Sequence, residues 1–275
     1  MRIEKAILVF NKDWREIRRN WQVILPIVVV PLMISVLLPV VITAIPSLAE
    51  TQIETLSGFE NLIDSLPSQV QEQLAQMNEQ QGMIFIIAVY FLAPFFLIIP
   101  LMSSSVISSD SFAGEKERKT IEALLATPLS DGELFMGKIL VSFIPSMIVT
   151  IASFGAYTII FDVMTYGIFN GMLLLPTIEW VLLILGLAPP VALASIGLTI
   201  IISSKVKGFR EAQQISVVLL IPILGLIFGQ ITGAMIFGSG VILALIGLFV
   251  LIDFVVFRVG LELFKREEIL SKLTS

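Results

Sequence analysis

Three places in this sequence carry residues that could do chemistry: Asp253 in LFVLIDFVVFR, the serines of SSSVISSDS, and the charged string EKERKTIEALLATP from Glu115 to Pro128. The chain has no histidine and no cysteine, which removes histidine-bearing triads, zincin motifs, thiolate metal sites and thiol nucleophiles together. It also lacks a GxxxxGK[ST] loop, so it has no cradle for nucleotide phosphates. What remains is binding and positioning. Asp253 is an acid inside an apolar run, where a carboxylate is costly enough to need a partner or water. Arg258 follows five residues later, so Asp253 is either half of a structural pair or a transport residue. Ser104 and Ser105, with Ser103, Ser108 and Ser109, could line a vestibule or satisfy their own helix carbonyls.

The elements that must position these residues are membrane spans. Of 275 residues, 56% are hydrophobic and 14% charged, against about 25% charged in an ordinary soluble domain. Runs of about 20 apolar residues match a hydrocarbon layer of about 30 Å. Six such segments are expected, near Val23 to Ile45, Met83 to Val106, Ile139 to Phe161, Trp180 to Ile202, Ile215 to the mid-230s, and Ile236 to Phe257. The fifth, SVVLLIPILGLIFGQITGAMIFGSG, is rich in glycine and is either one span or a span followed by a broken element. The fold class is therefore all-α, a single polytopic transmembrane domain over residues 1–275.

Charge fixes the orientation. All 17 Lys and Arg fall before span one, between spans two and three, between four and five, or after six. The other three connections carry only acids, among them Glu54, Glu60, Asp64, Glu72, Asp162 and Glu179. By the positive-inside rule both termini lie in the cytoplasm of a cell (plasma) membrane protein.

Residues 1–21 are expected to form an interfacial helix. Ile3, Ile7, Phe10, Trp14, Ile17 and Trp21 recur every three or four residues, with Arg15, Arg18 and Arg19 placed to meet lipid headgroups. Residues 46–82 read as an extracytoplasmic helical insertion, with Leu56, Phe59, Ile63, Leu66, Val70, Leu74 and Met77 on one stripe interrupted at Pro67. Its acids either draw cations or are simply a solvated face. Prolines, including Pro39, Pro94, Pro100, Pro145 and Pro189, mark expected bends.

Between spans two and three, a helix of about twelve residues is expected to begin after Gly114 and end at Thr127, because Pro128 disfavours helix before it. Ile121, Leu124 and Leu125 would form its apolar ridge. Ser130 and Glu133 have capping-box spacing and would start the next helix.

This string resembles the cytoplasmic signature of ATP-binding cassette type-2 permeases, E-R-E-x-G-T-x-E-x-L-L-x-T-P, especially the bacterial and archaeal branch similar to the NatB sodium-efflux permease. Glu115, Glu117, Arg118, Thr120, Glu122, Leu124, Leu125, Thr127 and Pro128 match it, and Lys119 stands where the family has glycine. The resemblance implies a cytoplasmic coupling helix over 110–129. Ile121, Leu124 and Leu125 would insert in a separate ATPase subunit, and Glu115, Glu117, Arg118 and Glu122 would form charge pairs at the rim of that contact. It further implies a membrane-spanning subunit of an exporter that is no enzyme by itself and binds no cofactor, ATP and Mg belonging to the partner subunit. A second copy or a related permease would complete the path. Membrane lipids are expected partners and nucleic acid is not. Two rival readings are an ion-gradient-driven transporter or channel and a structural membrane subunit. An adjacent reading frame encoding a Walker-type ATPase would separate the first of these from the cassette transporter, and a flux measurement the second.

Overall fold

The computed structural model describes residues 3–48, 68–120, 127, 129–231 and 238–263. Among them all regular structure is helical. Six helices are long and apolar enough to cross a membrane: Trp21–Ala44, Gln80–Glu117, Gly132–Thr165, Ile178–Lys205, Phe209–Gln230 and Ser239–Gly260, here called spans one to six. A separate helix, Ile3–Ile17, precedes them. The expected spans are all present. The expected outer stripe before residue 68, the residues Ile121, Glu122, Leu124, Leu125 and Pro128, and residues 232–237 lie outside the described residues.

Spans two and three are much longer than a bilayer requires. At 38 and 34 residues they measure about 57 and 51 Å, against a hydrocarbon layer of about 30 Å. The excess leaves a stub of paired helix at the end of the bundle where the lysines and arginines collect, called the basic end below. Span two is the best buried of the six; spans five and six are the least. Leu224, Phe228, Leu251 and Phe254 on those two are exposed, an apolar surface that only lipid or another protein covers without cost.

Prolines shape the spans as expected, but by a specific device. Three π-helical segments, Met33–Leu37, Ile86–Phe91 and Leu182–Leu187, each end two or three residues before a proline, at Pro39, Pro94 and Pro189. A proline has no N–H for the carbonyl four residues back, and the wider turn redistributes the bonds around that gap. Pro145, by contrast, lies inside the continuous 35-residue helix Asp131–Thr165.

Spans two and four run parallel in fixed register. The Ser195 hydroxyl donates to the Leu101 carbonyl at 2.9 Å and the Thr199 hydroxyl to Ser105 Oγ at 3.4 Å, both 94 residues apart in sequence. The helix Ser68–Leu74 buries Val70 and Leu74 in the main core at the opposite end.

Candidate functional site

The helix Ile3–Ile17 docks on the stub by the stripe Ala6, Val9, Asp13 and Ile17, all buried. Its partner on span three is Gly137, where a Cβ atom would stand 2.6 Å from Val9 Cβ and 2.8 Å from the Ala6 carbonyl oxygen. Only glycine permits that approach without a shift. The stripe differs from the one expected: Ile17 packs inward, while Ile7 and Trp21 are exposed and Trp14 stacks its ring under Arg18.

The same docking puts a carboxylate into the protein. Asp13 Oδ2 accepts from the Ser111 hydroxyl at 2.8 Å and lies 3.4 Å from Lys138 Nζ. Lys138, with no exposed side-chain surface, reaches Glu115 Oε2 at 2.6 Å, donates to the Ser111 carbonyl, and lies over the Phe112 ring at 5.1 Å. Lys12 bonds Glu115 from the other side and lies 3.2 Å from Asp13 Oδ1. Next to this group, Arg118 donates to Asp110 Oδ1 at 2.9 Å and lies 3.7 Å from Glu16, while Asn20 donates to the same Asp110 oxygen at 3.0 Å. Four carboxylates thus face three cations across the helix Ile3–Ile17 and spans two and three.

Burial alone would raise the Asp13 carboxyl, but Lys138, Lys12 and the Ser111 hydroxyl hold it below the usual carboxylate range. Burial alone would lower the Lys12 ammonium, yet Asp13, Glu115 and Glu16 carry it above its ordinary value. Arg118 is likewise raised, its burial outweighed by Asp110 and Glu16. All three groups stay charged, so the cluster is a set of fixed ion pairs.

Glu115, Glu117 and Arg118, expected at the rim of a partner contact, make bonds within their own chain, and the helix around them follows a different course from the one expected. Span two does not stop at Gly114; it continues through a π-helical turn, Asp110–Gly114, to Glu117. There it ends in a Schellman turn: Thr120 N–H donates to Glu115 O at 3.0 Å, Lys119 N–H to Lys116 O at 3.2 Å, and Lys119 has φ of 56°. The expected helix start after Gly114 is thus corrected to a helix end. Glu115 is 1% exposed and bonded within its own chain. Glu117 accepts the Phe209 N–H at 2.9 Å, capping the first turn of span five, and Lys116 donates to the Val206 carbonyl at 2.9 Å. Further along, the capping box of Ser130 and Glu133 is present and starts span three.

The intramembrane candidates are not brought together. Ser104 donates to its own helix at Leu101 O, and Ser105 accepts from span four. Asp253 makes no ion pair with Arg258, whose guanidinium lies over Phe254; its Oδ1 is buried with no hydrogen-bond partner among the described residues. No group of His, Cys, Asp and Glu able to hold a metal occurs among the described residues.

Asp13, Asp110, Ser111 and Lys138 were absent from the sequence-based candidates. A signal existed in the spacing Ala6, Val9, Asp13, Ile17, which sets one acid on a stripe of small and branched residues. The arrangement has no bond-making chemistry: it locks the connection after Glu117 to the helix Ile3–Ile17 and to spans two, three and five. No curated protein matches the sequence. The sequence profile described as ABC-2 family transporter protein matches residues 7–243, which includes every member of this cluster, the first five spans and the start of the sixth. This membrane protein belongs to the ABC-2 transporter family.

Proposed function

We propose that the chain is the permease subunit of an ATP-binding cassette exporter in the plasma membrane, with both termini and the basic end in the cytoplasm. A separate ATPase subunit, carrying ATP and Mg, docks on the connection between Glu117 and Ser130. A second copy or a related permease completes the path. Within the family, the 115–128 string favours the branch similar to the NatB permease. The observation that carries this reading is the buried cluster at Lys138. A push on the connection that bears the family string reaches the helix Ile3–Ile17 through Glu115 and Arg118, span three through Lys138, and span five through Glu117. An ordinary loop has no need of such anchorage.

Replacing Leu124 and Leu125 with aspartate tests it. Burying unpartnered carboxylates at a contact costs several kcal/mol, on the order of what dissociates a moderate interface. The ATPase is expected to be lost on co-purification while the permease keeps its size-exclusion profile in detergent. Retention of the ATPase at wild-type stoichiometry would rule out this connection as the main contact. ATP-dependent uptake into inside-out vesicles then reads the export direction.

A further inference from the structure

Span two is interrupted in its other half. After the π-helical segment Ile86–Phe91 the chain makes a turn at Leu92, a single helical turn Ala93–Phe96, and a second turn at Leu97 before Ile98–Ser109 resumes. Pro94 deprives the Tyr90 carbonyl of its helical donor, and the wide turn disturbs the two carbonyls before it. All three are held by side chains from other spans: Ala88 O accepts from Tyr157 on span three at 2.8 Å, Val89 O from Trp180 Nε1 on span four at 2.8 Å, and Tyr90 O from Gln230 Nε2 on span five at 2.7 Å.

These three donors are not equivalent. Tyr157 and Trp180 are fully buried and stacked on each other at 5.3 Å, with Phe96 edge-on to both at 4.9 Å. They belong to a packed aromatic core. Gln230 ends span five, which is largely exposed. Its Oε1 is buried with no hydrogen-bond partner among the described residues, so the side chain is held on one side only.

We propose that span two hinges at residues 86–97 and that Gln230 is the latch tying the hinge to span five, so that separating the two opens the path at the end opposite the basic cluster. The inference rests on the permease reading above. Separation strands the Tyr90 carbonyl and the Gln230 carboxamide. In hydrocarbon each stranded group would be costly, whereas in water the cost nearly vanishes. The latch therefore opens only as water enters between spans two and five, and Gln230 Oε1, without a hydrogen-bond partner among the described residues, is an acceptor for that water.

Because the chain has no cysteine, one introduced thiol reports on one position. Phe91→Cys is treated with a charged, membrane-impermeant maleimide in reconstituted vesicles, with and without Gln230→Met, and Ile148→Cys on the exposed face of span three serves as control. Labelling at position 91 is expected to rise about tenfold in Gln230→Met, the population change that loss of one buried hydrogen bond produces, with position 148 unchanged. Equal rates at 91, or an equal rise at 148, would overturn the latch. Should Gln230→Met fail to reach the membrane, hydrogen exchange of the unsubstituted chain in nanodiscs decides: amides of 91–97 and 226–231 are expected to exchange together and faster than those of 98–109. Exchange at 91–97 as slow as at 98–109 would overturn the hinge. Neither measurement needs the ATPase, so failure here leaves the co-purification result standing, and the reverse holds.

Discussion

Lys138 Nζ lies 2.6 Å from Glu115 Oε2, and neither side chain is more than 1% exposed. Removing one member of such a pair leaves the others as uncompensated buried charge, at a cost of about 3–5 kcal/mol. Lys138→Met is expected to lower the thermal stability of the detergent-purified protein accordingly. Adding Glu115→Gln should restore part of the loss, because one stranded carboxylate is then neutral. A double variant no more stable than Lys138→Met would show that the two side chains are not energetically coupled.

Acid and base act on Asp13 and Lys12 only at the extremes. The Asp13 carboxyl is lowered in the folded protein, so its contribution is present above about pH 3.9, the ordinary value, and is lost as pH falls through the lower folded value. Lys12 is raised, so its contribution is complete below about pH 10.4 and is lost above. Docking of the helix Ile3–Ile17, read as hydrogen-exchange protection of its amides after correction for intrinsic rate, is expected to stay constant from about pH 5 to 9. A midpoint inside that window would contradict the ion-pair account.

Gly137→Ala places a methyl group against Val9 and the Ala6 carbonyl, and one of these is backbone, which yields poorly. Overpacking of this kind costs about 1–3 kcal/mol. Protease cleavage within residues 3–17 is expected to accelerate while the spans keep their helical circular dichroism.

Lys119 holds a left-handed backbone, φ 56°, at the position where the family string has glycine. Glycine adopts that conformation without the steric cost of a Cβ, a saving of about 1 kcal/mol. Lys119→Gly is expected to raise the melting temperature slightly and to leave ATPase binding intact. A lower melting temperature would mean that the lysine ammonium contributes more than the backbone costs.

Topology is tested by two more introduced thiols. Met172→Cys, exposed between spans three and four, should react with an impermeant reagent added to intact cells, and Lys207→Cys should react only after permeabilisation. The opposite pattern would invert the proposed orientation.

The spans were legible in the sequence because length and apolar composition alone decide whether a helix can cross a bilayer, and the capping box at Ser130 because it is a local pattern. Asp13 and Lys138 were not. Periodicity shows that a helix has an apolar stripe but not whether lipid or protein covers it, so Ala6, Val9 and Ile17 could not be told from Ile7 and Trp21. Lys138 was counted among basic flanking residues, since a long cation near a span end ordinarily faces headgroups. The interruption of span two was half legible: Pro94 announced a bend, but the three side-chain donors lie 69 to 140 residues further along the chain than the carbonyls they hold.

The span of sequence within the buried cluster sets an order of events during synthesis. Asp13 is made first, and Lys138 is 125 residues later, on the order of 10 s of translation at 5–20 residues per second. Over that interval the carboxylate lacks its buried cation and stays in water. The first helix therefore cannot take its final seat until the third span has been delivered, and the ribosome must have built half the protein before the amino terminus is fixed.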